Sequence, residues 1–344
     1  MPSRPKIVCC SNMKDPRWRW LAPSLGEDRV DWRFFHAIPG NALERWVRRP
    51  DLALIHACYS SIRSISREGA DLLVTHGPRA AYWCEFMAKR MRARAPHVVY
   101  SFNYDTLPTG IKRKLMSDAF QHVDQFVVYS TIEKQLYADY FGIPPERIDV
   151  KLWGVAPPQI ADPSVPMEPG DYLCALGGNR RDYKTLMAAV SRLPHVRLVA
   201  VVRPASLSGV KVPPNASVHI HLPLPKIMNI LKHSRFMVLP LDASDVPCGH
   251  VTLVAAMHLG KGFIITNSTG VKDYVLDGVN AITCEARSPQ ALADAIALLW
   301  SHPDRCEQLG AKGKEFAAQH CSEESMRDHL ETMLCRRGLL AART

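Results

Sequence analysis

The chain has 344 residues, of which 47% are hydrophobic and 22% charged, and its formal net charge is +10. These proportions are typical of a globular protein with room for two domains, and they exclude a disordered or collagen-like chain. No apolar stretch reaches the roughly 18 residues of a membrane span, and the short apolar run Ile7 to Cys10 does not form a signal peptide.

The ten cysteines include no C-x-x-C pair. We therefore expect reduced thiols, most of them packed as small hydrophobic side chains, in a cytoplasmic protein. Cys248 is the one cysteine that we expect near a ligand site, because it lies in a glycine-containing loop described below.

Apolar strands alternate with helical segments along the first half of the chain, which is typical of a parallel sheet. Ser130, followed three residues later by Glu133, is a capping box that predicts a helix to about Tyr140. The predicted strands are Lys6–Ser11, Trp32–His36, Leu72–His76, Val98–Phe102, Gln125–Tyr129 and Glu146–Trp153.

A second alternating set follows residues 156–170, which hold five prolines and no apolar periodicity. That composition predicts an interdomain linker. The later predicted strands are Tyr172–Leu176, Arg197–Val202, Ser217–His221, Phe236–Leu239, Phe263–Thr266 and Ala281–Cys284. The later predicted helices are Asp182–Arg192, Lys226–His233, Thr252–Leu259, Pro289–Ser301, Pro303–His320 and Glu323–Arg336.

The pattern predicts an α/β protein with two doubly wound, Rossmann-like domains, 1–155 and 171–320, and a C-terminal helix in 321–344. In such sheets ligands bind beyond the carboxyl ends of the strands, which here predicts a central cleft that both domains face.

A Gly-His turn at Gly249 and His250 leads directly into a predicted helix that has Thr252 near its first turn. The unpaired N–H groups and the positive dipole end of a helix start suit a phosphate or diphosphate, with Val251 among the donors. The His250 ring is either a phosphate donor or a turn residue. Gly249 lets the backbone approach the anion because glycine has no side chain. The segment from Asn267 to Gly278 supplies a second glycine-containing turn and another short helix start.

Basic residues concentrate in residues 79–114, which hold eight Lys or Arg against two Asp or Glu. Mixed with aromatic residues, they suit an anionic membrane surface or a lipid-diphosphate headgroup, although cations near a helix end can also be ordinary surface. No nucleic-acid-binding motif is visible. The predicted patch consists of Lys89, Arg90, Arg92, Arg94, Lys112, Arg113 and Lys114.

Two polar spots follow neighbouring predicted strands at their carboxyl ends. His76 ends one strand, and Asn103-Tyr104-Asp105 ends the next. Asp105 is either a catalytic base or a turn residue that bonds its own backbone, and His76 is either catalytic or structural.

Four segments resemble the GT-B glycosyltransferases of family 4: the unit from Gln125 to Val155, the motif from Ala175 to Lys184, the segment 248–278 and the C-terminal helices. The resemblance implies a donor domain in the second half and a last helix that crosses back to the N-terminal domain. It also implies that Arg181 binds the donor diphosphate, with Arg180, Gly177 and Gly178 beside it.

The chain departs from the family at an important place. The family's two glutamates, with seven residues between them, fall at Pro247 and Ala255, so the contacts to donor sugar and ribose cannot be carried over. Asp242 and Asp245 lie just upstream and could replace part of that function.

These observations predict a glycosyltransferase that moves a sugar from a nucleotide diphosphate sugar to a glycan or lipid-linked acceptor. We expect retention of configuration, no cofactor and no metal site, since no Asp-x-Asp motif is present. The expected location is the cytoplasm, as a peripheral protein at the inner face of the membrane. Two alternatives stay open: an inverting enzyme with Asp105 as base, and a non-catalytic relic that binds a nucleotide sugar.

Overall fold

The computed structural model describes residues 4–26, 28–46, 51–242 and 247–341. The chain divides into two compact units, Met1–Lys151 with Glu323–Thr344, and Leu152–Ser322. In each unit the described strands form one parallel six-stranded sheet. The predicted fold class, α/β with two doubly wound sheets, is confirmed.

The first unit contains a sheet whose strands are β1 (Lys6–Ser11), β2 (Asp31–His36), β3 (Leu72–His76), β4 (His97–Tyr100), β5 (Gln125–Val128) and β6 (Ile148–Val150). Its helices are α1 (Ala22–Leu25), α2 (Ala42–Trp46), α3 (Leu52–Glu68), α4 (Pro78–Met91), α5 (Gly110–Phe120) and α6 (Thr131–Phe141). The strand order is β2-β1-β3-β4-β5-β6. A 3-10 turn at Pro145–Arg147 takes up the first two residues of the predicted strand Glu146–Trp153, and β6 is shorter than predicted at both ends.

Alternation along β1 buries side chains on both faces of this sheet. Val8 and Cys10 pack against α3 and α4, while Ile7 lies in the cluster on the opposite face. The predicted capping box is present: the Ser130 hydroxyl accepts from the Glu133 amide, and the Glu133 carboxylate accepts from the Tyr129 amide. Burial raises the pKa of Glu133 to about 7.

The second unit contains a sheet whose strands are β7 (Leu173–Leu176), β8 (Leu198–Val202), β9 (Ala216–Ile220), β10 (Met237–Leu239), β11 (Phe263–Thr266) and β12 (Ile282–Cys284). Its helices are α7 (Tyr183–Val190), α8 (Leu224–His233), α9 (His250–His258), α10 (Pro289–Ser301) and α11 (Pro303–His320). The strand order is β12-β11-β10-β7-β8-β9. Therefore β7 and β10, which carry the segments leading into α7 and α9, are neighbours at the centre of the sheet.

The proline-rich segment 156–170 packs on the second unit. The buried amide of Asn229 donates to the carbonyls of Ala161, Asp162 and Val165 and accepts from the Met167 amide. The segment predicted as a linker is thus held by a buried side chain from α8, which composition alone does not reveal.

The last helix, α12 (Glu323–Arg336), belongs to the first unit. Its buried residues Met326, Leu330 and Leu334 recur every four positions and pack in the same cluster as Ile7 and Val98. None of the helices in the described residues is long and apolar enough to cross a membrane.

Candidate active site

Helix α9 begins at a glycine that no other residue replaces without strain. Gly249 has φ +99°, and a Cβ at this position would lie 3.1 Å from a methyl carbon of Leu241. The turn brings the first amide groups of α9 to the carboxyl side of β10. Those N–H groups have no partners within the helix, so they can meet an anion.

Arg181 lies against this helix start. Its Nη2 donates to Thr252 Oγ1 at 3.1 Å, its Nε to the Leu176 carbonyl at 3.2 Å and its Nη1 to the Asn179 carbonyl at 2.9 Å. Burial lowers the pKa of Arg181, yet arginine keeps its proton at neutral pH. Across the described ranges, no carboxylate forms an ion pair with this guanidinium. A half-buried cation held by neutral oxygens leaves its charge available to an anionic ligand.

Two glycines make room for this arrangement. Gly177 has φ +98°, and a Cβ there would lie 3.2 Å from Nη2 of Arg181. A Cβ at Gly178 would come within 2.6 Å of the Arg203 side chain. The glycine pair is therefore required by close approach of two guanidinium side chains as well as by the turn.

A cavity of about 560 Å³ opens beside Arg181. Arg180, which has φ +53°, lines it together with two cations that the sequence reasoning did not assign, Lys184 and Arg287. Lys184 stands three residues after Arg181 at the start of α7, so its spacing in the motif could have suggested it. Arg287 follows β12 and is distant in sequence, so only the fold reveals it.

Of the two upstream aspartates, Asp242 lines the same cavity and forms an ion pair with Arg287 at 3.2 Å. Its carboxylate is therefore partly committed to a cation. Asp245 lies outside the described residues.

The His250 ring makes contacts within the fold that favour the turn-residue alternative. The ring is buried and stacks on Tyr274 with a centroid distance of 4.9 Å, and its Nε2 donates to the Gly270 carbonyl at 2.9 Å. Burial lowers the pKa of His250, so the ring is neutral. His250 thus ties the start of α9 to the next turn, and its backbone amide is a candidate donor beside the amide of Val251.

The positions of the missing glutamates are filled by apolar contacts. Pro247 is buried against Gly270, where a Cβ would come within 2.6 Å of the proline ring. Ala255 is half-buried and packs on the core of the second unit. The second turn therefore closes against a proline where the family has a carboxylate.

At the carboxyl edge of the first unit's sheet, His76 lies among aromatic rings. Its ring is 4.6 Å from Trp20, 5.0 Å from Trp18 and 6.1 Å from Tyr100 between centroids. Among the described residues, its buried Nε2 has no hydrogen-bond partner. Burial lowers the pKa of His76 to about 3, so the imidazole is neutral at physiological pH. Sequence reasoning missed the tryptophans because they come from the loop after β1, which has no recognisable motif.

Asp105 is exposed on the loop after β4. Two hydrogen bonds of Tyr137 hold this loop in place. The Tyr137 hydroxyl accepts from the Tyr104 amide at 3.2 Å and donates to the Glu133 carboxylate at 3.4 Å. The carboxylate thus stands on a supported loop at the edge where ligands of parallel sheets bind.

The predicted basic patch is divided by the fold, so treating its seven residues as one patch was wrong. A helix that connects two parallel strands runs antiparallel to them. Residues 89–94, at the end of α4, therefore lie at the amino edge of the sheet. Residues 112–114, at the start of α5, lie at the carboxyl edge. Arg90 lies over the Phe86 ring at 3.5 Å, and Arg113 donates twice to the Tyr140 carbonyl. At the start of α5, Ile111 and Leu115 are exposed beside the lysines.

Comparisons with known proteins agree with this architecture. The family model Glycosyltransferase Family 4 matches residues 19–156, and the family model Glycosyl transferases group 1 matches residues 210–316. A search of curated proteins found no match.

Solved structures with the same fold cover nearly the whole chain. A sucrose-phosphate synthase from Thermosynechococcus elongatus has a TM-score of 0.75 at 14% identity and covers 97% of this chain and 99% of its own. HepE from Anabaena, in complex with UDP, has a TM-score of 0.68 at 13% identity, covering 96% and 100%. The lipopolysaccharide outer core galactosyltransferase WaaB has a TM-score of 0.66 at 11% identity, also covering 96% and 100%.

The family 4 model matches the first half of this GT-B fold and the group 1 model matches the second half, and together they define the class of this protein. The chain belongs to the GT-B glycosyltransferases of the group 1, family 4 type, and it is an enzyme that takes a sugar nucleotide as donor.

Proposed function

We propose that this enzyme transfers a sugar from a nucleoside diphosphate sugar with retention of configuration, and that Arg181 neutralises the departing diphosphate. The observation that carries the proposal is the half-buried guanidinium of Arg181, held by neutral oxygens beside Thr252 and the start of α9. A fixed cation and helix amides aimed at developing phosphate charge stabilise the transition state without reorganisation.

In the proposed reaction, the bond between the anomeric carbon and the phosphate oxygen breaks, and a bond from that carbon to the acceptor oxygen forms. The acceptor proton passes to the departing phosphate. Because Arg181, Arg180 and the α9 amides supply positive charge, the proposal requires no metal ion. Activity that persists in excess EDTA supports this reading, and restoration by Mg²⁺ of activity lost in EDTA contradicts it.

Uridine diphosphate sugars are the first donors to test. HepE, which has the same fold, was crystallised with UDP, with UDP and glucose, and with UDP-glucose. A thermal-shift screen of nucleoside diphosphates identifies the base, since a ligand that binds the native state raises its apparent stability. The anomeric configuration of the product, read by NMR, then distinguishes retention from inversion.

An inverting reaction with Asp105 as base is the second candidate, and the exposure of Asp105 on a supported loop favours it. In that reaction the acceptor proton passes to the carboxylate. Asp105→Asn should then abolish transfer while donor binding persists, whereas a retaining enzyme without that proton transfer keeps measurable turnover. His76 is a poor base at neutral pH because its pKa is about 3; we therefore assign it a positioning role.

We further propose a glycan or lipid-linked acceptor presented at the anionic cytoplasmic face of a membrane, with the start of α5 as the contact. Ile111 is 79% exposed and Leu115 48% exposed, and Lys112 and Lys114 stand between them in sequence. Exposed apolar side chains flanked by cations suit the boundary between headgroups and acyl chains.

A further inference from the structure

Three cysteines from three separate elements meet in the core of the first unit. Cys10 comes from β1, Cys58 from α3 and Cys84 from α4, and all three are fully buried. Their sulfur atoms lie within 4.8 Å of one another, and the sulfurs of Cys10 and Cys58 are 3.7 Å apart. None of the three takes part in the glycosyl transfer proposed above.

We propose that these three thiols bind one soft, thiophilic metal ion, and that the ion is Cu⁺. An ion with metal–sulfur bonds of about 2.3 Å, centred among three sulfurs, places the sulfurs roughly 4.0 Å apart, which lies within the spread of this cluster. Small movements of side chains therefore suffice to close the site.

The ligand set favours Cu⁺ over Zn²⁺. Zinc in proteins is almost always four-coordinate, whereas the His, Cys, Asp and Glu side chains of the described chain contribute only three ligand atoms here. A nearby hydroxyl, Ser61 Oγ, donates to the Cys58 carbonyl and lies 3.7 Å from the Cys84 sulfur. Soft thiolates bind both Cu⁺ and Zn²⁺, so the three-ligand set is what favours Cu⁺ here.

The neighbours of the cluster are hydrophobic, with Ala80 and Leu54 among them. Each metal–sulfur bond replaces a thiol S–H bond, because thiolates are the metal ligands, and the three protons leave to solvent. Cu⁺ with three thiolates carries a net charge of −2, so the copper–thiolate bonds must offset the cost of burying that charge.

Such a site would join β1 to α3 and α4 and so stiffen the sheet edge that carries His76. Because the sulfurs are fully buried, uptake by the folded protein requires local opening and should be slow. Metal is best supplied during expression or by long incubation under reducing, oxygen-free conditions.

The test uses the full chain with Cys248→Ser and Cys335→Ser, which removes the two half-buried thiols. Cu⁺ is supplied as its bicinchoninate complex, and its loss from that complex is followed by absorbance. We expect one equivalent per chain, a higher melting temperature and X-ray absorption showing sulfur neighbours only. In Cys58→Ala uptake should fall at least tenfold, while Cys9→Ala, an equally buried cysteine beside the cluster in sequence, should keep it.

No uptake by the starting protein, or equal uptake in Cys58→Ala, overturns the proposal. If Cys58→Ala does not fold, the stoichiometry and sulfur coordination of the starting protein decide by themselves, and oxygen or nitrogen neighbours around the copper overturn it. Zn²⁺ that displaces Cu⁺ at equal concentration would show that the choice of ion is wrong. All of these readouts are independent of glycosyl transfer.

Discussion

The carboxyl ends of the two sheets use different chemistry. Beyond β7 and β10 in the second unit, Arg181, Thr252 and the turn at Gly249 form a polar site in which the Arg181 guanidinium donates to three neutral oxygens. Beyond β3 in the first unit, the buried ring of His76 lies among Trp18 and Trp20. We propose that the first of these sites binds an anion, whereas the surroundings of His76 are aromatic and uncharged.

This difference explains why one edge can be read from sequence and the other cannot. A diphosphate is bound by backbone amides and guanidinium groups, and these need glycines at fixed spacings that leave a visible pattern. An aromatic surface needs only side chains that meet in space. The following predictions test whether the two edges are as different as their chemistry indicates.

The largest expected effect comes from the guanidinium of Arg181. Arg181→Ala should lose roughly 2–4 kcal/mol of transition-state stabilisation, because one preorganised electrostatic contact to the departing phosphate is removed. The measurement is kcat/KM for donor turnover, alongside the melting temperature. Arg203→Ala, which removes a neighbouring guanidinium, is the matched control and should lose less. Wild-type turnover in Arg181→Ala would show that the diphosphate is bound elsewhere.

The second effect concerns the aromatic edge and pH. The pKa of His76 falls from 6.5 to about 3 on folding, so below pH 6.5 the unfolded chain binds a proton that the native chain does not. The contribution of His76 to the free energy of unfolding is fully present above pH 6.5 and is lost as the pH falls toward 3. By pH 5 the free energy of unfolding has fallen by about 2 kcal/mol from this group.

His76→Phe keeps an aromatic ring without a titrating group, so its unfolding free energy should fall less between pH 6.5 and 5 than that of the wild type. Urea midpoints at each pH measure this difference. His122→Gln, which changes an exposed histidine, should behave like the wild type. Parallel pH curves for wild type and His76→Phe would mean that His76 is not shielded from water.

A third effect tests which end of the first unit's sheet meets a membrane. Lys112→Gln with Lys114→Gln should weaken binding to anionic vesicles by about 1 kcal/mol for each engaged cation, less at high salt. Lys89→Gln with Arg94→Gln removes the same charge from the opposite edge and should have little effect. Vesicle co-sedimentation measures both, and equal losses would mean that net charge alone drives binding.

The sequence predicted most of the architecture because apolar alternation and helix boundary residues act locally. Strands such as Lys6–Ser11 and helices such as Pro289–Ser301 were predicted with the bounds that the structure has. The separation of residues 89–94 from 112–114 also follows from alternating strands and helices, although counting charges along the chain obscured it.

Contacts between residues far apart in the sequence account for the features that could not be predicted. The bond from His250 to Gly270, the ion pair of Asp242 with Arg287 and the packing of the loop tryptophans on His76 have no signature in local composition. Each depends on where the loops meet after the sheets have formed.

The smallest expected effect is the absence of a strong preference for UDP over dTDP. With Ala255 packed on the core and Pro247 closed against Gly270, the described donor-side residues include no carboxylate at either position where the family has glutamate. A carboxylate bond to a ribose hydroxyl is worth roughly 1.5–3 kcal/mol, so we expect UDP and dTDP to compete for the enzyme within about tenfold of each other, a difference below 1.4 kcal/mol. Ala255→Glu should then favour UDP. Asp242→Asn is the control, because Asp242 lines the cavity and could contact the ribose despite its ion pair with Arg287. If the unmodified protein strongly prefers UDP and Asp242→Asn loses that preference, Asp242 contacts the ribose. If Asp242→Asn keeps the preference, the contact comes from a residue other than Asp242 and Ala255.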